Sequence, residues 1–240
     1  MKFPGRQERR GIPPAVLVVL SMTMDAHSRT VTAAVMKHLD ETTIVSHHVP
    51  SAVLMERAGL AVVQALRDER FDLGRILVVS GPGNNGGDGV VVARLLHLAG
   101  ASVEVILVGD ETKRSQDMIR QIEVADSYGI TLLSWGPDVS TPGEPTTVVD
   151  ALLGIGGDRA PGGDFLQAVR HINACRDAGA RVLAVDIPSG ISTDTGQLLG
   201  EAVHADVTVT FAYAKTGLVQ PPGNTLAGRL IVADIGIYAE

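Results

Sequence analysis

Gly81-Pro82-Gly83-Asn84-Asn85-Gly86-Gly87-Asp88-Gly89 separates an apolar run, Ile76 to Ser80, from an amphipathic one, Val90 to Leu98. The order reads strand, glycine loop, helix. Glycines let backbone N–H groups approach a bound anion closely, and a helix start adds partial positive charge. Two asparagines and an aspartate exceed what phosphate cradling needs. Their side-chain oxygens also suit a cation or a sugar hydroxyl. The stretch contains a literal G-x-G-x-x-G, and Asp110 follows the next strand near the spacing of a ribose-binding acid. Asp88 also suits the N-cap of the following helix.

Outward from this loop the chain alternates. Ser102–Val108, Thr131–Leu133, Thr147–Val149, Val182–Val185, Val207–Phe211 and Leu230–Val232 are short runs rich in β-branched residues and leucine. Several are apolar throughout, as strands buried on both faces are. Helical patterns at Val90–Leu98, Lys113–Ser127 and Phe165–Ala178 separate many of them. Two further helices precede the sheet: Thr32 to Val45, with charges opposite its apolar face, and Pro50 to about Arg67. The alternation predicts an α/β fold, a mostly parallel sheet with helices on both sides.

Ligands of such sheets bind beyond the carboxyl ends of the strands. Three polar clusters fall at that edge. One is the glycine loop after Ser80. The second is Asp150 with Gly154-Ile155-Gly156-Gly157-Asp158-Arg159. The third is Asp186-Ile187-Pro188-Ser189-Gly190. Each admits a plain reading: a tight turn, a strand-end cap, a solvated arginine. Arg159 otherwise suits bidentate pairing with a phosphate, and Asp186 suits proton transfer. Lys215 is either a surface lysine or a cation facing an anion. Together, three such ends in one chain predict a single crevice. Oxygen donors without histidine or cysteine suit hard cations.

The totals narrow the class. The 240 residues, 45% hydrophobic, suit one sizeable domain with its own core. The net charge of −7 and the lack of a basic block beyond residue 30 speak against nucleic acid. Cys175 is the one cysteine, so no internal disulfide forms; it reads as core, Trp135 as packing and His47-His48 as solvated loop. Lys2, Arg6, Arg9 and Arg10 precede a short apolar run broken by Pro13 and Pro14, a poor export signal and too short to span a bilayer. The expectation is a disordered extension over residues 1–30, a single domain over 31–240, no membrane partner and a cytoplasmic location.

The chain resembles the NAD(P)H-hydrate epimerase family from about Val31 to Ile237. The resemblance rests chiefly on Asn84-Asn85-Gly86-Gly87-Asp88-Gly89. Val149-Asp150-Ala151-Leu152-Leu153-Gly154, Val185-Asp186-Ile187-Pro188-Ser189-Gly190 and the stretch from Ala205-Asp206 to Lys215-Thr216-Gly217-Leu218 add to it. It implies a Rossmann-like α/β/α sandwich, commonly a homodimer. It implies interconversion of the R and S forms of hydrated NADH and NADPH, a repair of damaged nicotinamide cofactor that supplies the S form to a dehydratase. By resemblance Asn84, Asn85, Gly86, Gly87, Asp88 and Gly154, Ile155, Gly156, Gly157, Asp158, Arg159, Ala160 bind substrate. Asp186 is a further substrate contact and the expected acid–base residue. Asn85, Asp150 and Ser189 look like potassium ligands; the trio carries about one formal negative charge, which favours a monovalent ion.

Two departures stand out. The family pattern Met-Glu-Asn-Ala-Gly is here Met55-Glu56-Arg57-Ala58-Gly59. The resemblance covers an epimerase domain without the dehydratase domain fused to it in many bacterial relatives, so the dehydratase is expected to be a separate partner. Three other readings stay open at this point. An NAD-dependent dehydrogenase would use the glycine loop with Asp110. A non-catalytic nucleotide-binding module would keep the fold alone. A sugar or vitamin kinase would use Gly156-Gly157-Asp158, though no ATP site follows.

Overall fold

The computed structural model describes residues 30–136, 144–157 and 159–238. The expected extension up to residue 29, Asp158 and most of the Pro137–Pro145 loop lie outside the described residues.

Seven strands build one parallel sheet: β2 (Arg75–Ser80), β3 (Ser102–Leu107), β4 (Thr131–Ser134), β5 (Thr147–Ala151), β6 (Arg181–Val185), β7 (Val207–Phe211) and β9 (Arg229–Ala233). The order across it is β4-β3-β2-β5-β6-β7-β9. The middle strands are buried from end to end, as β5 with Thr147–Ala151 shows, which is why their sequences read as continuous apolar runs. Helices cover both faces. On one, α2 (Ser51–Asp68), α3 (Asn84–Leu98) and α4 (Gln116–Ser127) bury Leu54, Val62, Leu66, Leu96 and Met118 against Val78, Val105 and Val149. On the other, α5 (Asp164–Asp177) buries Ala168, Val169 and Ile172 against Leu77, Val148 and Val182. The α/β/α sandwich is therefore the observed fold.

Strand order reverses between β2 and β5. From β2 the chain winds outward through β3 and β4, then returns to β5 and winds the other way. The carboxyl ends of β2 and β5 thus flank the crevice where ligands of doubly wound sheets bind. Ser80 pairs with Ala151 at this end, so the glycine loop and the turn after Asp150 are neighbours.

Helix α3 starts at Asn84, six residues before the apolar pattern announces it. Glycine's low helix propensity hides the first turns in the sequence. Packing demands the glycines all the same. A Cβ on Gly86 would overlap the Gly81 carbonyl, and one on Gly89 would overlap the Ala151 side chain. Gly83 occupies the N-cap without a side-chain bond. Asp88 is therefore not the cap; it sits inside the helix.

A second, two-stranded parallel pair joins β1 (Thr30–Val31) to β8 (Ala214–Lys215), with Val31 beside Lys215. It fixes α1 (Ala33–Glu41), whose first amide, from Ala33, donates to Asp194 Oδ1 at 2.7 Å. The far end is held where the Tyr238 amide donates to Thr43 Oγ1 at 2.8 Å.

Candidate active site

A cavity of about 780 Å³ opens at the carboxyl edge of the sheet, within the size range of small-molecule sites. Asn84, Asn85 and Asp88 of α3 line it, as do Gly154 to Gly157 and Asp186. The three strand ends expected to share one crevice do share it. Helices α1 and α2 complete the wall with Met36, Asp40, Leu54 and Met55.

Other expected residues stand elsewhere. Gly86 and Gly87 are buried beneath the cavity as packing positions. Arg159 lines a shallow neighbouring hollow with Ser189, and exposed Ala160 lines neither. Asp110 is exposed and accepts from the Thr112 amide at 2.9 Å and the Thr112 hydroxyl at 2.7 Å. These bonds hold its carboxyl below the usual range. It lies off the cavity, so the ribose-binding role fails. Arg57 is exposed, 4.0 Å from Asp234, and also lies off the cavity wall. His47 is exposed but stacks with Tyr238, ring centroids 3.9 Å apart.

Asp186 is the centre of the site's electrostatics. It follows β6 with φ of +67°, a left-handed conformation rare for a residue with a Cβ. Its amide donates to the Val209 carbonyl at 2.7 Å, and the Ile187 amide donates to the Val185 carbonyl at 2.9 Å. These bonds hold the strained turn and aim the carboxylate inward. Asp186 Oδ1 accepts from Lys215 Nζ at 2.5 Å and from Thr210 Oγ1 at 3.1 Å. Lys215, 1% exposed, gives its other protons to Thr210 Oγ1 and the Phe211 carbonyl at 2.9 and 3.0 Å. Lys215 is thus a buried ion-pair partner, which resolves its two sequence readings. Asp186 Oδ2 has no protein donor among the described residues.

Two more carboxylates share the cavity. Asp40 is pushed up to about 6, first by burial and then by the Asp186 charge, with Lys215 opposing. Asp88, half-buried on α3, is raised well above the usual carboxylate range by burial, with Asp186 and Asp40 adding repulsion. Neither has a hydrogen-bond or ion-pair partner among the described residues. Asp40 escaped the sequence reading because it counted as one of the outward charges of its helix; only the spatial neighbourhood reveals it.

Asp150 lies behind the cavity wall, fully buried. Its Oδ1 accepts from the Ser189 hydroxyl at 2.7 Å and the Leu152 amide at 3.2 Å, and its Oδ2 from the Ser189 amide at 2.8 Å. Burial outweighs these bonds and pushes it up to about 6. Ser189 Oγ in turn accepts from the Leu153 amide at 2.9 Å, next to Gly154. A Cβ on Gly154 would stand 3.0 Å from the Asn85 side chain. The Asn85 amide has a buried Nδ2 without a partner. Rotating that amide by half a turn puts an oxygen in its place, and an oxygen there needs a donor or a cation. Among the described residues no three histidine, cysteine, aspartate or glutamate side chains cluster as metal ligands. The group fits a weakly charged oxygen site better than a divalent one.

A hollow of about 780 Å³ lined by asparagine and aspartate stands at the reversal point of a doubly wound sheet, where α/β proteins of this class bind their ligands. The family described as YjeF-related protein N-terminus matches residues 51–217, and the chain belongs to it. It is 45% identical over 211 residues to the NAD(P)H-hydrate epimerase of Limosilactobacillus fermentum, covering 88% of this chain and 99% of that protein. With the NAD(P)H-hydrate epimerase of Oenococcus oeni it shares 46% over 202 residues, 84% of this chain and 93% of the other. The crystal structure of yeast ynu0 has the same fold, with a TM-score of 0.72 at 22% identity over 86% of this chain and 87% of that one. Among the described residues no helix is long and apolar enough to cross a membrane.

Proposed function

We propose that this protein epimerises the R and S forms of hydrated NADH and NADPH, an isomerase of nicotinamide cofactor repair. The supporting observation is the cavity itself: Asn84, Asn85 and Asp88 of the glycine loop and Asp186 face one hollow, in a chain 45% identical to a relative bearing that activity's name. Asp110, exposed and off the cavity, removes the main support for a dehydrogenase.

The damaged ring carries a hydroxyl on the carbon bonded to ring nitrogen. Such a hemiaminal loses its hydroxyl to give an iminium, which water re-enters on either face. The reaction needs proton transfer at oxygen and no redox equivalent. Asp186 is the proton acceptor for the entering water: Lys215 and Thr210 hold Oδ1, Oδ2 has no protein donor among the described residues, and the residue lines the cavity. The first turn of α3, at Asn84 and Asn85, offers unsatisfied amides to the pyrophosphate. Gly154 to Gly157 form the adjacent wall, and Arg159 and Ala160 stand outside the hollow. Asp88, its carboxyl raised above the usual range by burial, faces the same hollow.

Asn85, Asp150 and Ser189 would hold a potassium ion. When bound, it supplies positive charge beside the dinucleotide and stiffens the turns that carry the site. The working unit is a homodimer in the cytoplasm, handing the S form to a separate dehydratase. The test is direct. R-enriched hydrated NADH is supplied with an S-specific dehydratase. Adding this protein should carry NADH recovery from the S fraction to completion, and recovery that stays at the S fraction rejects the function.

A further inference from the structure

We propose that Asp40 is a second catalytic residue, exchanging a proton with the C6 oxygen of the hydrated nicotinamide on the face opposite Asp186. This rests on the epimerase reading above. Inversion at one carbon by departure and return of water poses a two-sided problem. The leaving oxygen must receive a proton on one face, and the entering water must lose one on the other. One carboxylate fixed on one side serves only one of these events.

The cavity offers a second carboxylate on a separate wall. Asp186 stands at the end of β6 in the sheet, whereas Asp40 comes from α1, outside the sheet. Four attachments hold α1 against the cavity. The β1–β8 pairing sets Val31 beside Lys215, the residue that grips Asp186. Thr216 Oγ1 donates to the Val31 carbonyl at 3.2 Å, and Ala33 is tied to Asp194. Thr43 is tied to Tyr238 beyond the other end. A helix anchored at both ends presents Asp40 at a fixed place, yet no hydrogen bond engages the Asp40 carboxyl among the described residues. A half-buried carboxyl with no structural partner, on a pinned helix, is free to serve the substrate.

The atoms balance. Asp40, protonated, gives its proton to the C6 hydroxyl. The C6–O bond breaks, and the ring-nitrogen lone pair forms the C=N bond of the iminium as water leaves. Water then adds to C6 from the other face, the C=N electrons return to nitrogen, and the released proton goes to Asp186. The reverse reaction exchanges the two roles, and solvent resets the pair. Asp40's midpoint of about 6 lets it cycle near neutral pH, whereas burial and the neighbouring Asp186 and Asp40 charges raise Asp88 well above the usual carboxylate range. The charged groups facing Asp40 are Asp186 and Lys215 from the sheet, Asp88 from α3, Asp117 from α4, and Lys37 and Glu41 on its own helix.

The experiment measures kcat and KM of the full chain for R-enriched hydrated NADH, with excess dehydratase, between pH 5 and 9. Asp40→Asn should lower kcat by about 100-fold or more, leave KM within about threefold, and remove one limb of the kcat–pH profile. Asp40→Ser should do the same and Asp40→Glu should recover part of the rate, all with wild-type melting temperature. Retention of more than about a third of kcat in either Asn or Ser variant, or a loss carried by KM alone, overturns the role of Asp40 while leaving the epimerase reading intact. A wild-type protein with no rate above the enzyme-free control overturns both.

Discussion

Lys215 Nζ lies 2.5 Å from Asp186 Oδ1, and the lysine has almost no exposure to solvent. Such a pair is costly to halve: removing one partner strands a buried charge, at about 3–5 kcal/mol. The sequence alone suggests that Asp186→Asn would stop the reaction and spare the fold. The structure revises the second half, because an amide in place of the carboxylate would leave the ammonium with weaker acceptors. Asp186→Asn and Lys215→Met should each lower stability in denaturant titration. The double variant should lose clearly less than the sum, a coupling of at least about 1 kcal/mol. Additive losses would mean that the ion pair is not formed.

Asp150 gives a pH signature. Its folded midpoint is raised to about 6 from the ordinary 3.8 by burial, so the folded state binds the proton more tightly than the unfolded state. The associated stability is present below pH ~4 and is lost as pH rises through about 6, on the order of 3 kcal/mol. Asp150→Asn should remove that slope, whatever constant offset it adds. A cation held by the ionised carboxylate offsets the same loss. KCl should therefore raise the melting temperature over equal NaCl at pH 7.5 and have little effect at pH 4.5. Identical pH slopes in variant and wild type, or equal responses to the two salts, would oppose these assignments.

What the sequence revealed depends on how locally each feature is encoded. The strand ends were legible because each apolar run stops abruptly at glycine, proline or aspartate, and Asn85, Gly154 and Asp186 do meet at one cavity. The start of α3 was not legible, because its glycines answer to Gly81 and Ala151, contacts made across the fold. Arg159 and Ala160, expected to bind substrate by resemblance, do not line the cavity. Asp40 and Lys215 gained their roles only through the β1–β8 pairing, which joins residues far apart in the chain. No period or motif encodes such a meeting.

The glycines of α3 can be separated by cause. Gly86→Ala places a Cβ into the Gly81 carbonyl, and backbone cannot yield as a flexible side chain does. The expected cost is about 1–3 kcal/mol, a fall of roughly 2–10 °C in melting temperature for a chain of this size. Gly83→Ala meets nothing within 4 Å, and the Gly83 backbone is extended, so its stability should stay within about 0.5 kcal/mol of wild type. Equal melting temperatures for the two variants would show that the approach of α3 to the β2 end is looser than described.

Arg57 stands where the family pattern has asparagine, and its position decides what that departure means. The side chain is exposed, 4.0 Å from the Asp234 carboxylate and near Gly236, and it does not line the cavity. An exposed pair at that distance contributes about 0–1 kcal/mol. Nothing connects it to Asp40, Asp88 or Asp186 by a hydrogen bond among the described residues. Arg57→Asn should therefore leave kcat and KM within about twofold and stability within about 1 kcal/mol. Arg57 does lie on the outer face of α2 between exposed Val53 and Leu60, where an effect on self-association would be felt. Sedimentation of wild type and variant separates the two possibilities: a changed mass with unchanged kcat assigns the position to assembly, and a changed kcat at constant mass contradicts its placement outside the site.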